Sequence, residues 1–390
     1  MEPKTNRKFD KTTFDRQVKR IEQWSNTRKM RLSNPAYYID IPQEISIQLT
    51  YACNLRCKMC YQWNETGYLN SASSAKNMHN EIAVDLFEKI LEETLDIKSS
   101  LYIWGGEPLF HSNFEGISKA LEKDLRYTTM CTNGLLIQKN MDSLLRISSN
   151  LALLISIDGL GDTNNELRGK LTFERVMTQI SDLFTEQKKG TYKGTISINA
   201  VLNDSLAPHI YEFMEFFDDL GVDSVYFNYP WYISPQRAYE MDKFYNSKLA
   251  WIEDESTLSG TKSWHSFNYK LSPDSAIIVQ EQIQKLKSRI WNSRVRFQQH
   301  MQDHEILDFI IDSHSSTRSC FAWSSRIEIL ADGRAGTCCK FFPELSIGNI
   351  KDYGLLNLWR SDKFNKLRHI LGNGLLPICS KCILLYRNGY

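Results

Sequence analysis

Between residues 45 and 228 one pattern recurs six times: a short run of β-branched or aromatic residues, then a longer stretch, in most cases with apolar positions at helical period. The runs predict strands at 45–50, 101–104, 126–131, 151–157, 194–201 and 222–228. Between them, Ile82, Leu86 and Ile90, then Ile117 and Leu121, Leu144 and Leu145, Val176, Ile180 and Phe184, and finally Ile210, Phe213 and Phe217 mark the apolar stripes of helices. Alternation of this kind lays the strands side by side in parallel, joined by right-handed crossovers. Eight such units close a TIM barrel. Six leave it open, so the prediction is an α/β fold built on a partial, TIM-like (βα)6 barrel, with a side entrance for a large substrate.

The flanks read differently. Residues 1–33 hold ten Lys/Arg against four Asp/Glu, and Thr12 could cap a helix whose apolar side is Phe14, Val18, Ile21 and Trp24. The simpler expectation is that this side docks on the body while the charges face water; a basic amphipathic helix can also bind a membrane or a partner. The stretch 230–315 is irregular, with Pro230, Trp231 and Pro235, a polar segment at 253–262 and a predicted helix over 275–291. Next, 326–330 (RIEIL), the turn Ala331-Asp332-Gly333 and the return to Cys338 predict a β-hairpin, followed by a helix over 355–371. Four segments are expected: a basic helical extension at 1–43, the barrel at 44–230, a connector or substrate-side cover at 231–315, and a small hairpin-plus-helix domain at 316–390.

Composition narrows the possibilities. In 390 residues, 42% are hydrophobic and 24% charged with a net charge of +1, an ordinary globular balance with no global basic field for nucleic acid. No run of about 18 apolar residues suggests a membrane span, and the N-terminus lacks the apolar core of a secretory signal, so a cytoplasmic protein is expected. Nine cysteines, odd in number and unevenly spread, then point to metal binding over a disulfide framework. Seven form two groups, Cys53, Cys57 and Cys60, then Cys320, Cys338, Cys379 and Cys382, with Cys131 and Cys339 left over.

The first group follows directly on the first predicted strand, at the mouth where barrel enzymes place their chemistry. Three thiolates are one short of a tetrahedral zinc site, but they could hold three irons of a four-iron cluster and leave the fourth open. This CxxxCxxC loop resembles the hallmark of the radical S-adenosylmethionine (SAM) enzymes. The likeness extends to Gly105-Gly106-Glu107-Pro108 after the second strand, Thr132-Asn133-Gly134 after the third, and Ser156-Ile157-Asp158-Gly159 on the fourth, with Arg168 twelve residues beyond Ser156. The resemblance implies a [4Fe-4S] cluster on Cys53, Cys57 and Cys60. It also implies SAM held by Gly105, Gly106 and Glu107 at its ammonium, by Ser156 at the ribose hydroxyls and by Arg168 at the carboxylate, with Asn133 and Asp158 belonging to the same motifs. Glycine allows close backbone approach, a carboxylate complements an ammonium, and a guanidinium can grip a carboxylate with two bonds. Met59 departs from the family, which has an aromatic residue there to seat the adenine; Tyr61 is the residue that could compensate.

In the second group, thiols at both ends of the hairpin and a CxxC pair can present four ligands to one metal, and the spacing alone admits structural zinc. The text Cys320…Asp332-Gly333-x4-Cys338, Ile347-Gly348-Asn349-Ile350, Leu358-Trp359 and Pro377-x-Cys379-x2-Cys382 resembles the SPASM auxiliary-cluster domain and its shortened form, twitch. With no further cysteine after Cys382, one auxiliary [4Fe-4S] cluster with four protein ligands is expected.

The resemblance implies reductive cleavage of SAM to a 5′-deoxyadenosyl radical that abstracts a substrate hydrogen, with electron supply from a reductant such as flavodoxin or ferredoxin. A fully ligated auxiliary cluster suits electron transfer, so oxidation of a small polar metabolite, a sugar or aminocyclitol, is the first expectation. Only 44 residues precede the first strand, too few for the leader-binding domain common in peptide-modifying relatives; a peptide maturase is the alternative, and a non-catalytic metal-binding interaction protein a third. A redox-neutral epimerisation would need a hydrogen donor, for which Cys131 and Cys339 are candidates, although each is more simply an inert thiol. Asn199, Tyr226, Asn228, Tyr229 and Trp231 are candidate substrate lining.

Overall fold

A computed structural model describes residues 3–70, 79–252, 261–299, 301–312, 316 and 318–388. Helix α1 (Lys11–Ser33) precedes strand β1 (Glu44–Gln48). Then α2 (Val84–Glu93), β2 (Ser100–Trp104), α3 (Phe114–Lys123), β3 (Thr128–Thr132), α4 (Met141–Ile147), β4 (Leu151–Ser156), α5 (Asp162–Arg168), α6 (Thr172–Lys188), β5 (Thr195–Val201), α7 (Ile210–Leu220) and β6 (Ser224–Asn228) follow. After α8 (Pro235–Phe244), α9 (Pro273–Lys287), β7 (Arg294–Gln298) and α10 (Glu305–Ile310) come β8 (Arg326–Ile329), β9 (Arg334–Gly336), β10 (Ser346–Asn349), α11 (Leu355–Trp359), α12 (Asp362–Gly372) and α13 (Ile383–Asn388).

The strands form one mixed sheet in the order β10-β9-β8-β1-β2-β3-β4-β5-β6-β7. It is parallel from β8 to β7, antiparallel at β8/β9 and β9/β10, and its two edges do not pair, so the barrel is open. All six residues of β4 are buried, as expected of a parallel strand covered on both faces. The six predicted strands lie within two residues of the observed ones.

Four elements differ from expectation. β7, with the sequence RVRFQ, extends the sheet beside β6; its alternating arginines hid it, because an edge strand needs only one apolar side. The predicted helix over 275–291 ends at Lys287, and Ile290–Trp291 instead pair in parallel with Lys4–Thr5. The helix predicted over 355–371 is two, because Ser361 turns the chain and caps α12 at Phe364 N. The polar segment at 253–262 lies, except for its last two residues, outside the described residues.

The fourth difference is the docking of α1. Its N-cap is Asp10, which accepts from Thr13 N at 2.8 Å, not Thr12. Thr13, Arg16, Arg20, Trp24, Thr27 and Arg31 face the body, while Phe14, Val18 and Ile21 are 58%, 37% and 61% exposed. Three of the four apolar positions expected to dock therefore face water, and only Trp24 turns inward. Arginine explains this: Arg16 lies 3.7 Å over the Tyr127 ring, Arg20 sits beside Trp24 and Glu44, and Arg31 stacks on Trp323 at 4.1 Å. A guanidinium packs flat on aromatic rings and buries its stem, so a cationic face can serve as the contact face.

Candidate active site

The chain leaves β1 through Leu49–Ala52 and enters the first cysteine loop. The Gly105–Glu107 segment beyond β2 clamps this approach: Gly106 N donates to Thr50 O and Glu107 N to Ala52 O, both at 2.8 Å. A Cβ on Gly106 would stand 2.1 Å from Ala52 O, and one on Gly105 2.7 Å from Thr50 O, so the approach requires glycine. The loop itself is tied by Asn133 Nδ2 to Asn54 Oδ1 at 2.8 Å and by Lys58 N to Leu167 O at 2.9 Å. The ends of β2, β3 and α5 thereby fix the three thiols.

Cys53, Cys57 and Cys60 line a cavity of about 310 Å³ together with Tyr61, Gly105, Gly106, Glu107, Asn133, Ser156 and Arg168. Burial pushes the Cys53 thiol up to about 12 and that of Cys57 to about 11. Glu107 is also raised by burial, although Oε1 accepts from Thr132 Oγ1 (2.6 Å) and Leu109 N (3.0 Å) and Oε2 from Asn133 N (2.7 Å). A carboxylate has about four acceptor positions, so one remains on Oε2. Arg168 Nε pairs with Asp158 at 2.6 Å, and its Nη1 reaches Cys57 Sγ at 3.9 Å. Asp158 is not on the cavity wall but behind it, anchored by Val201 N at 2.7 Å.

Much of the rest of the wall is aromatic. Tyr61 stacks on Phe267 with ring centroids 4.4 Å apart, and Trp231 packs on Phe341 at 3.7 Å. Asn199, Asn228 and Tyr229 are on the lining and Tyr226 is not. Of the two spare cysteines, Cys131 lines the cavity with Sγ 3.7 Å from Ser156 Oγ. Cys339 does not; it is wholly buried and donates to Glu328 O at 3.2 Å.

The second cysteine group gathers beside the hairpin. The Cys338 thiol is pushed well up by burial, with Cys379, Cys382 and Cys320 all close enough to add to the effect. Cys338 has a left-handed backbone (φ +66°), and its carbonyl accepts from Phe341 N and Phe342 N at 3.1 and 3.0 Å. Cys379 and Cys382 share a tight turn, Cys382 N to Cys379 O at 2.9 Å. Lys381 within that turn pairs with Asp312 at 3.4 Å and donates to Phe309 O. Among the described residues, no group of three His, Cys, Asp or Glu side chains is arranged around a single metal ion. The two groups are joined by Tyr51, whose hydroxyl donates to Asp332 Oδ2 at 3.0 Å across the β1–β8 border.

A sequence profile of the radical SAM superfamily matches residues 47–191, and a profile of SPASM, an iron-sulfur cluster-binding domain, matches residues 320–383. Residues 47–191 are thus a radical SAM domain and residues 320–383 a SPASM domain. It is similar to the tungsten-containing aldehyde ferredoxin oxidoreductase cofactor-modifying protein of Pyrococcus furiosus, 21% identical over 355 residues, 87% of this chain and 86% of that one. It is also similar to the AdoMet-dependent heme synthase of Methanosarcina barkeri, 24% identical and covering 84% and 85% of the two chains. The mycofactocin maturase MftC of Mycolicibacterium smegmatis is 29% identical over 157 residues, 38% of this chain and 37% of that protein. In fold the chain resembles Streptococcus suis SuiB bound to precursor peptide SuiA, with a TM-score of 0.58, 18% identity, and 88% and 71% of the chains covered.

A radical SAM domain takes SAM and a [4Fe-4S] cluster, and a SPASM domain takes auxiliary iron-sulfur clusters. The residues present fit them. Three desolvated thiols share one cavity wall with a buried carboxylate that keeps an acceptor position, and a bound cation or cluster relieves the cost of burying such groups. Among the described residues no helix is long and apolar enough to cross a membrane. Among the lining residues that sequence reasoning missed are Phe267, Tyr269, Lys340 and Phe341. The last two directly follow the Cys338-Cys339 pair and could have been found from it; the irregular 231–315 stretch gave no signal for the others.

Proposed function

We propose that this radical SAM enzyme is a maturase of a ribosomally made peptide, the alternative reading of the sequence, in preference to an oxidoreductase of a small polar metabolite. The observation that carries the site assignment is the convergence of Cys53, Cys57 and Cys60 with Gly105–Glu107, Ser156 and Arg168 on one cavity. The peptide is supported by the similarity to MftC and to SuiB with its precursor peptide.

In this reading Cys53, Cys57 and Cys60 hold the first cluster, and Cys320, Cys338, Cys379 and Cys382 one auxiliary cluster. SAM bound at the first cluster supplies one-electron chemistry able to take a hydrogen atom from an unactivated C–H bond. The free position on Glu107 Oε2 accepts from the methionyl ammonium. Asp158 holds Arg168 in place to meet the carboxylate, Ser156 Oγ meets the ribose, and Tyr61, backed by Phe267, seats the adenine. Trp231, Phe267 and Phe341 exclude water. Cys131, already on the cavity wall, is the thiol placed to return a hydrogen atom should the product be an epimer. A carrier such as flavodoxin or ferredoxin brings electrons, and the cytoplasm supplies it.

The test is anaerobic incubation of the reconstituted enzyme with SAM, dithionite and synthetic peptides from the short reading frames flanking its gene. We expect 5′-deoxyadenosine and a mass change in one peptide. Cys57→Ala abolishes both, whereas Cys382→Ala retains some 5′-deoxyadenosine. Deuterium transfer into 5′-deoxyadenosine from a labelled sugar or tetrapyrrole, with every peptide unchanged, would refute the peptide assignment.

A further inference from the structure

We infer that Arg31, on the N-terminal helix outside both matched domains, holds Cys320 in place and raises the reduction potential of the auxiliary centre. The inference rests on the assignment of Cys320 as a ligand of that centre.

Arg31 is the last member of the body-facing stripe of α1. Its Nη1 donates to the Cys320 carbonyl at 2.6 Å, and its guanidinium lies 4.7 Å from the Phe321 ring and 4.1 Å from that of Trp323. Two aromatic faces and one hydrogen bond thus fix the cation over the start of the segment that leads into β8. Among the described residues no carboxylate pairs with it, although burial has stripped much of its water and lowered its proton affinity. What it touches instead is the backbone carbonyl of Cys320. The other guanidinium near Cys320, that of Arg326, is already compensated by Glu44 and Glu328.

A desolvated cation without a counter-ion is costly unless an anion is close. Among the described residues, the group positioned to become one is the Cys320 thiol, as it does on binding iron. A [4Fe-4S] centre with four thiolate ligands is anionic and gains one further negative charge when it takes up an electron. A fixed positive charge beside one ligand favours the reduced form, and hydrogen bonds and net charge around the sulfurs are established determinants of such potentials. Arg31 thus links a helix that belongs to neither iron site to the electron affinity of one of them.

The test is a potentiometric titration with dithionite, followed by electron paramagnetic resonance, on the full-length reconstituted enzyme with and without SAM. The signal unmoved by SAM is the auxiliary one. Arg31→Gln keeps a donor but removes the charge, and should lower the midpoint by about a tenfold change in the reduction equilibrium, 59 mV for one electron, at unchanged iron content. Arg31→Lys keeps the charge and should recover most of the shift. A wild-type potential in fully loaded Arg31→Gln overturns the inference, and so does equal loss of auxiliary iron in both variants, which would make Arg31 a purely structural tie. Cys320→Ala separates this from the ligand assignment: if that variant keeps all its iron and an unaltered auxiliary signal, the assignment of Cys320 fails on its own account.

Discussion

Asp312 offers a sharp test of how the turn proposed to hold the auxiliary cluster is kept in place. Its side chain, 1% exposed, pairs with Arg237 Nε at 2.8 Å and with Lys381 Nζ at 3.4 Å, and accepts from Ser234 N at 2.9 Å. Asp312→Ala leaves the buried Lys381 ammonium and the partly exposed Arg237 guanidinium facing each other across the space of one carboxylate. Removing one partner of a buried ion pair costs about 3–5 kcal/mol, because the charge left behind has no compensation. For a cooperative chain of 390 residues this corresponds to a fall in Tm of about 4–6 °C. The loss should depend on pH. Burial pushes the Lys381 ammonium down to about 8 against Asp312, which pulls it up. Folded-state proton affinity thus lies below that of the unfolded chain, and the wild-type lysine sheds its burial penalty as it loses its proton above about pH 8, so the loss caused by Asp312→Ala is largest well below pH 8 and shrinks as that pH is approached. Without Asp312 that proton is lost at lower pH. Because Lys381 lies between Cys379 and Cys382, the variant should also release auxiliary iron before the iron of the first cluster. The assays are anaerobic thermal unfolding at two pH values and iron counts after gel filtration. A variant within about 1 kcal/mol of the wild type at neutral pH would show that the pair is dispensable, and the reasoning would fail.

Three further outcomes follow. Gly106→Ala should strip iron from the first cluster, since its Cβ would meet Ala52 O at 2.1 Å and Tyr51 O at 2.4 Å and must push the Cys53 loop aside; an iron count equal to wild type would contradict the clamp. Glu107→Gln should weaken SAM binding about 10- to 100-fold, the range of a hydrogen bond to a charged group, measured by equilibrium dialysis, and unchanged affinity would remove Glu107 from the binding assignment. Iron uptake by the apoprotein should quicken from about pH 7 to about pH 9, because burial raises the thiols of Cys53 and Cys57 and each must lose its proton to bind; a flat profile would show that deprotonation is not limiting.

Much of this was legible in the sequence, for reasons that can be named. A parallel strand covered on both sides is a continuous apolar run, as in Leu151–Ser156, and cannot easily be mistaken. The cysteine loop and the motifs after β2, β3 and β4 were readable because each sits in one short stretch at a strand end. What escaped lies where physics departs from the simple pattern. β7 alternates arginine with apolar residues, and α1 buries arginines while showing phenylalanine and isoleucine to water, because stacked guanidinium groups make a contact face that hydropathy does not register. The aromatic wall brings Tyr61, Trp231, Phe267 and Phe341 together from distant segments, and no local spacing announces such a meeting.

β8 lies against β1 in parallel register, Ile45 beside Ile327 and Ile47 beside Ile329, and Cys53 and Cys338 follow soon after β1 and β9. Both prospective iron-bearing loops therefore hang from a single piece of hydrogen-bonded fabric. Lobes joined by a flexible strap can part to admit a guest and then snap shut; a continuous weave cannot. In the proposed function, anything that reaches the chemistry has to slip past the rim, and the spacing of the two sites follows from the one sheet that carries both loops.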